Sequence, residues 1–254
     1  MLHEAVFYAA SQNCDCLALP EVAGMLNSDT ESLRAQIHDE ERDPYINACI
    51  KLAKENALWI HNGSTPIISD DGRYLNHSNL IDHAGKVRAR YDKIHLFDIA
   101  LKDRKPIRES DRYAPGSAAV VAGTPWGIWG LSICYDLRFP HLYRSYAKAG
   151  AVILFIPSAF TPKTGLADWE VLLRARAIEN GCFVVAAAQV GTHDDGRRTY
   201  GHSMVIDPWG NVLLDMGGGQ AGYEAVTLDL SLVERTQEQI PSLRNGRDFH
   251  LEVH

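Results

Sequence analysis

Apolar positions alternate between helical and strand spacing along most of this chain. Leu2, Ala5, Val6, Ala9 and Ala10 share one helical stripe, and after the polar Ser11-Gln12-Asn13 the run CLALP from Cys16 to Pro20 reads as a strand. Residues 44–56 again carry a helical pattern, and ALWIHNGST (57–65) reads as a strand. YLNHSNLID and VRARYDK, separated by the turn HAGK, predict a β-hairpin. Downstream, a strand over Ala151–Pro157, a helix around WEVLLRARAIEN (169–180) and a strand FVVAAAQ (183–189) follow one another. GHSMVIDPWGNVLLD predicts two strands joined at Pro208-Trp209-Gly210-Asn211, and 231–239 predicts a short helix. Strand and helix in alternation are the α/β pattern. The stretch from Phe97 to Pro115 is charged, irregular and too long for a connector, which predicts a functional loop. No repeat, linker or low-complexity tract interrupts the chain, so one domain over 1–254 is expected.

Against that pattern, three apolar segments end in a polar group: CLALP in Glu21, the second hairpin strand in Lys93 and GLSIC in Cys134. Strand ends are where catalytic groups gather in α/β sheets. Leu131 and Ile133 alternate with Ser132 and Cys134 as in a strand, and Pro140 opens a helical stretch. A thiol at that corner lies near backbone N–H groups and a helix N-terminus, which favour a thiolate; the alternative is a small buried hydrophobe. Glu21 at the end of a buried-looking strand suits proton transfer, or it is a solvated loop carboxylate. Lys93, within YDKIHLFD, suits stabilisation of an anion, or it is an edge-strand lysine. Glu109, in RESDRYAPG, is a second site carboxylate or a loop partner of Arg108 or Arg112.

Composition narrows the class. The 254 residues carry a formal net charge of −7 with no basic run, which argues against a nucleic-acid surface. Five cysteines, Cys14, Cys16, Cys49, Cys134 and Cys182, form no C-x-x-C pair, so neither a disulfide framework nor a zinc site is predicted, and a reducing cytoplasm is expected. No segment reaches the roughly 18 apolar residues of a membrane span, and no metal or cofactor motif such as HExxH or a glycine-rich phosphate loop is present.

LALPE ending in Glu21, YDKIHLFD holding Lys93, RESDRYAPG holding Glu109 and GLSICYDLRFP holding Cys134 resemble, in order, the motifs of the nitrilase superfamily of carbon–nitrogen hydrolases. The resemblance runs from near Leu17 to near Phe249. It implies an α-β-β-α four-layer sandwich that pairs into homodimers or larger assemblies, a small-molecule amide as substrate, and no cofactor. It also implies roles. Cys134 attacks the carbonyl, Glu21 moves the proton, Lys93 and the backbone N–H of Tyr135 hold the oxyanion, and Glu109 orients Lys93 or substrate.

Cys134-Tyr135-Asp136 resembles the amidase-type members, where true nitrilases have Cys-Trp-Glu. PSAFTPKTG (157–165), WEVLLRARAIENGCFVVAAAQ (169–189) and YGHSMVIDPWG (200–210) resemble the branch that cleaves deaminated glutathione, with the 2-oxoglutaramate-cleaving ω-amidases close by. Either substrate has a carboxylate that calls for an arginine fork. Arg138, Arg174 and Arg176 are the candidates, with ion pairs to Glu170 or Glu179 as the alternative for the last two. Phe160 and Trp169 are candidates to line the pocket, or core aromatics.

Two departures stand out. Asp168 precedes the Trp-Glu pair where this branch usually has His, adding negative charge near a site for an acid. The opening strand that the resemblance implies ahead of the first helix is not among these residues, so the domain is expected to be N-terminally short and less stable for it. Two other classes remain open: a non-catalytic interaction protein that keeps the fold, and a thiol redox enzyme, against which stands the lack of a resolving cysteine near Cys134. A chain extended by an N-terminal strand is expected to melt at a higher temperature; equal melting temperatures would refute the expectation.

Overall fold

The protein is described from a computed structural model covering residues 1–27, 30–69, 71–100 and 106–253. The first apolar stripe folds as α1 (Leu2–Ser11), followed by β1 (Cys16–Ala18), α2 (Thr30–Gln36) and α3 (Pro44–Glu55). Asp43 caps α3 by accepting from the Ile46 N–H, with Pro44 in the first turn. Strands β2 (Trp59–His61), β3 (Thr65–Ile68), β4 (Tyr74–Ile81) and β5 (Val87–Asp92) complete a first sheet. In it β1 runs parallel to β2, and β4 pairs antiparallel with β2, β3 and β5. Helices α1 and α3 cover one face, packing Val6, Ala9, Cys49 and Leu52 on Ile60 and Ile81.

The short pair β6 (Asp98–Ile99) and β7 (Ile107–Arg108) leads through a 3-10 turn (Glu109–Asp111) to β8 (Val120–Thr124) and β9 (Gly127–Leu131). A second 3-10 turn (Cys134–Arg138) and α4 (Pro140–Lys148) precede β10 (Ala151–Phe155), α5 (Pro162–Asn180) and β11 (Phe183–Ala186). The ladder β12 (Val190–Thr192) with β13 (Arg198–Tyr200), then β14 (Met204–Ile206), β15 (Val212–Asp215) and α6 (Ser231–Gln239) close the chain. The second sheet has the order β15-β14-β11-β10-β9-β8, with β9, β10 and β11 parallel. Trp59, Leu80, Ala89 and Tyr91 of the first sheet share one buried cluster with Trp129, Leu131, Ile153 and Phe155 of the second, so the two sheets face each other. Leu142, Tyr143, Tyr146, Trp169 and Leu173 add α4 and α5 to that cluster.

Several elements differ from the pattern-based reading for identifiable reasons. The strand before Cys134 ends at Leu131, because Asp136 takes the Ile133 N–H at 2.8 Å and Cys134 turns to φ +50. The stretch 97–115 holds the β6–β7 pair and a 3-10 turn, with 101–105 outside the described residues. Helix α5 starts seven residues before Trp169, at a Thr161-Pro162 start, and stops at Gly181, whose φ of +60 suits glycine. Helix α2 and strands β3, β12 and β13 carry too few residues for periodicity to register.

At its other edge β1 has no partner strand among the described residues. A cleft of about 1380 Å³ runs beside it, lined by Cys14, Cys16, Ala18, Trp129, Phe155 and Val185 among others.

Gly63 fixes the end of β1 in place. It has φ +68, and a Cβ there would lie 1.9 Å from the Pro20 carbonyl oxygen. Gly63→Ala is expected to lower the unfolding free energy by about 2–4 kcal/mol, combining left-handed backbone with overpacking. Urea denaturation measures this, and an unchanged midpoint would mean that the close approach is dispensable.

Candidate active site

Each charged candidate hangs from a strand end. Glu21 lies just past β1, where Leu19 N–H donates to the His61 carbonyl and Ser64 N–H to the Pro20 carbonyl. The next residue, Val22, has φ +50, a conformation β-branched residues avoid. The Ser64 hydroxyl accepts its N–H at 2.8 Å, and Gln189 donates to the Glu21 carbonyl at 3.0 Å, so neighbours on both sheets hold the strained corner. Lys93 follows β5, its N–H donating to the Asn76 carbonyl and its own carbonyl accepting from Gly116. Glu109 opens the first 3-10 turn and accepts from the Phe97 N–H at 2.6 Å.

These elements bring three charges to one buried point. Lys93 Nζ donates to Glu21 Oε1 at 2.8 Å and to both Glu109 oxygens at 3.0 and 2.9 Å. Its side chain is 2 % exposed, against 6 % for Glu21 and 12 % for Glu109. Burial would pull the ammonium down, but the Glu109 and Glu21 carboxylates hold it well above its usual range. Glu109 thus partners Lys93, which answers the open choice at that residue. Asn76 joins them, its amide donating to Glu21 Oε1 at 2.9 Å and to Glu109 Oε1 at 3.5 Å.

Cys134 reaches this cluster from the other sheet. It stands past the C-terminal end of β9, with its N–H bonded to the Pro157 carbonyl at 2.9 Å and its φ at +50. Asp136, fully buried, holds the turn by accepting from the Ile133 N–H, the Tyr91 hydroxyl at 2.6 Å, the His95 N–H at 3.0 Å and, at 2.7 Å, His95 Nδ1. Tyr91 and His95 flank Lys93, so one carboxylate ties the lysine's strand to the cysteine's turn. Burial, then the Glu21 charge, push the Cys134 thiol well above its usual range; Lys93 and the Ala159 N–H oppose this only in part. Burial and the Glu21 charge thus favour the thiol here, against the thiolate that a helix N-terminus would favour.

The remaining candidates divide. Tyr135 is in the first turn after Cys134, where backbone N–H groups lack intrahelical acceptors. Arg138 ends that turn, its Cζ 5.9 Å from the Tyr135 ring centre and 6.0 Å from that of Phe160. Phe160 is next to Ala159, hence close to the thiol. Trp169, 1 % exposed, donates its indole N–H to the His202 carbonyl and packs on Phe160, so it is core. Arg174 points away: its Nε donates to the Gly210 carbonyl and its NH1 pairs with Glu170, tying α5 to the β14–β15 turn. Arg176 likewise pairs with Glu179 and donates to the Leu137 carbonyl.

Sequence reading passed over Asn76, and of Asp136 it gave only the resemblance to amidase-type members, not its place in holding the turn. The signal at Asn76 is four consecutive polar residues, Asn76 to Asn79, in a strand buried on both faces. Asp136 gives no periodic signal, because its partners lie on another element. Among the described residues no group of three or more His, Cys, Asp and Glu is placed to hold a metal.

The model of the family described as carbon-nitrogen hydrolase matches residues 1–238. A deaminated glutathione amidase of Yersinia enterocolitica is 41% identical over 231 residues, 90% of this chain and 80% of that protein. The crystal structure of the C. elegans NitFhit protein superposes with a TM-score of 0.85 at 36% identity, covering 97% of this chain and 60% of that one. At 26% identity and a TM-score of 0.73, 85% of this chain matches 78% of a mutant amidase from Nesterenkonia sp. AN1, in which the acetamide moiety of fluoroacetamide is added covalently at the active-site cysteine.

Glu21 raises the Cys134 thiol through its charge and its hydrogen bond, so Glu21→Gln is expected to lower it. The rate of Cys134 alkylation by iodoacetamide should rise with pH only above the ordinary thiol range, near 8.5, in the parent. In Glu21→Gln the rise should come at lower pH. Identical profiles would show that the two side chains are not coupled.

Proposed function

The chain belongs to the carbon–nitrogen hydrolase family of the nitrilase superfamily, and we propose that it is a thiol amidase cleaving a small 2-oxo-acid amide, deaminated glutathione being the favoured substrate. The observation that carries the reading is the Lys93 ammonium clamped between Glu21 and Glu109, with the thiol of Cys134 pushed up by burial and the Glu21 charge. A thiol needs a neighbouring base, and Glu21, whose charge acts on the Cys134 thiol, is the candidate.

In the proposed mechanism Cys134 Sγ bonds to the amide carbonyl carbon while its proton passes to Glu21. The oxyanion that forms is held by Lys93 and the Tyr135 N–H. Collapse breaks the C–N bond, and the proton on Glu21 goes to the departing amine. Glu21 then takes a proton from water as the hydroxide adds to the thioester. Collapse expels the thiolate, which recovers that proton from Glu21. Deaminated glutathione yields 2-oxoglutarate and cysteinylglycine; 2-oxoglutaramate is the alternative substrate. Glu109 and Asn76 position Lys93 and Glu21, and Arg138 with Phe160 faces the substrate.

The competing readings fare less well. A non-catalytic scaffold has no use for a buried cluster with this geometry. In the redox reading Cys134 needs a resolving thiol, whereas Cys182 is buried and bonded to the Ala151 carbonyl. Five free cysteines support a reducing compartment such as the cytoplasm. Val171 and Ile178, 69 % and 53 % exposed on one side of α5, support a homodimer.

Ammonia and acid release from deaminated glutathione, 2-oxoglutaramate and a plain aliphatic amide tests the reading. Turnover is expected in the parent and none in Cys134→Ala, while Glu21→Gln should lose about 10²–10⁴ in kcat. A folded parent silent on all three sinks the proposal. Light scattering is expected to give twice the 28.2 kDa chain mass, and a monomer would remove the dimer.

A further inference from the structure

The guanidinium best placed to meet a substrate carboxylate already has a counter-ion. Arg138 NH2 contacts Asp168 Oδ2 at 2.5 Å, across from the helix α5 that carries Asp168. Among the described residues Asp168 is the one carboxylate paired with Arg138. Both side chains are about one-third exposed, at 30 % and 35 %, so solvent reaches the pair. The contact uses a single nitrogen, and the head of Arg138 stays against the Tyr135 and Phe160 rings, which neighbour the thiol along two separate segments.

Charge at this end of the site makes the pairing consequential. Glu21 and Glu109 outnumber Lys93 by one carboxylate. With Arg138 paired to Asp168, an incoming carboxylate must displace that partner or share the guanidinium with a like charge. A half-exposed ion pair is weak enough to be displaced, yet it offsets part of what the anion would gain.

Resting on the amidase reading above, we infer that Asp168 is a specificity-determining residue: it acts as a built-in competitor for Arg138, weakening selection for anionic amides relative to neutral ones. The chain then handles acidic 2-oxo amides with higher KM than its arginine alone would permit, and it retains access to uncharged aliphatic amides.

Asp168→Asn keeps the shape and removes the charge. Calorimetric binding of 2-oxoglutarate, the acid product, is expected to tighten about five- to tenfold in this variant, the scale of deleting one like charge in a half-exposed site. KM for 2-oxoglutaramate should fall by a similar factor with kcat unchanged, and KM for butyramide should stay within about twofold. Adding Arg138→Met should erase the gain, since the competitor and the prize are then both gone. Unchanged or weaker 2-oxoglutarate binding in Asp168→Asn overturns the inference, and weaker binding would make Asp168 a support for Arg138. If the parent hydrolyses no amide, the amidase reading fails, while the calorimetry still decides the role of Asp168.

Discussion

One ammonium shared by two buried carboxylates is the constraint on which the rest of this structure depends. Three charges cannot leave water unless each finds partners at hydrogen-bond distance. Lys93 meets Glu21 and both oxygens of Glu109, and the Asn76 amide and the Phe97 N–H take up remaining acceptor capacity. The cluster joins β1, β4, β5 and the 3-10 turn after β7, so it is also the knot that holds those strand ends at one place. Losing Lys93 would leave two carboxylates buried together without their cation, which is far more costly than losing a surface pair.

The nucleophile is brought to the knot by different means. Cys134 comes from the second sheet, at a corner with left-handed backbone, and such strain persists only where the surroundings over-determine it. Asp136 provides that surplus, with four hydrogen bonds to Ile133, Tyr91 and His95. A matching strained corner at Val22 sits beside Glu21, held by Ser64 and Gln189. Base and nucleophile are thus each mounted on a rigid, strained turn, one from each sheet. The packed aromatic seam of Trp59, Trp129 and Phe155 keeps the two sheets in register.

The electrostatics favour proton transfer over a preformed thiolate. A negative neighbour and burial push the Cys134 thiol upward, which favours the thiol over the thiolate at rest. This limits idle alkylation or oxidation of Cys134, because the reactive form is the thiolate. Farther out, Arg138 and Asp168 form a second, more exposed pair at the substrate end.

Sequence by itself determined the α/β alternation, most long elements and four catalytic-cluster members, since strands and helices leave periodic marks and Glu21, Lys93, Glu109 and Cys134 sit in local motifs. It also placed Arg138 and Phe160 in segments near the thiol. Tertiary structure alone decided that Glu109 partners Lys93 instead of Arg108 or Arg112, that Trp169 and Arg174 serve packing, and that burial and Glu21 push the thiol upward. It also revealed Asn76 and Asp136 as the residues that bind the parts together. The physical reason is range: periodicity and capping act over a few residues, whereas Asn76 reaches Glu21 across 55 positions and Lys93 reaches it across 72. Pairing at that separation is set by which strands of the first sheet lie side by side and where they end, and nothing local in the chain records it.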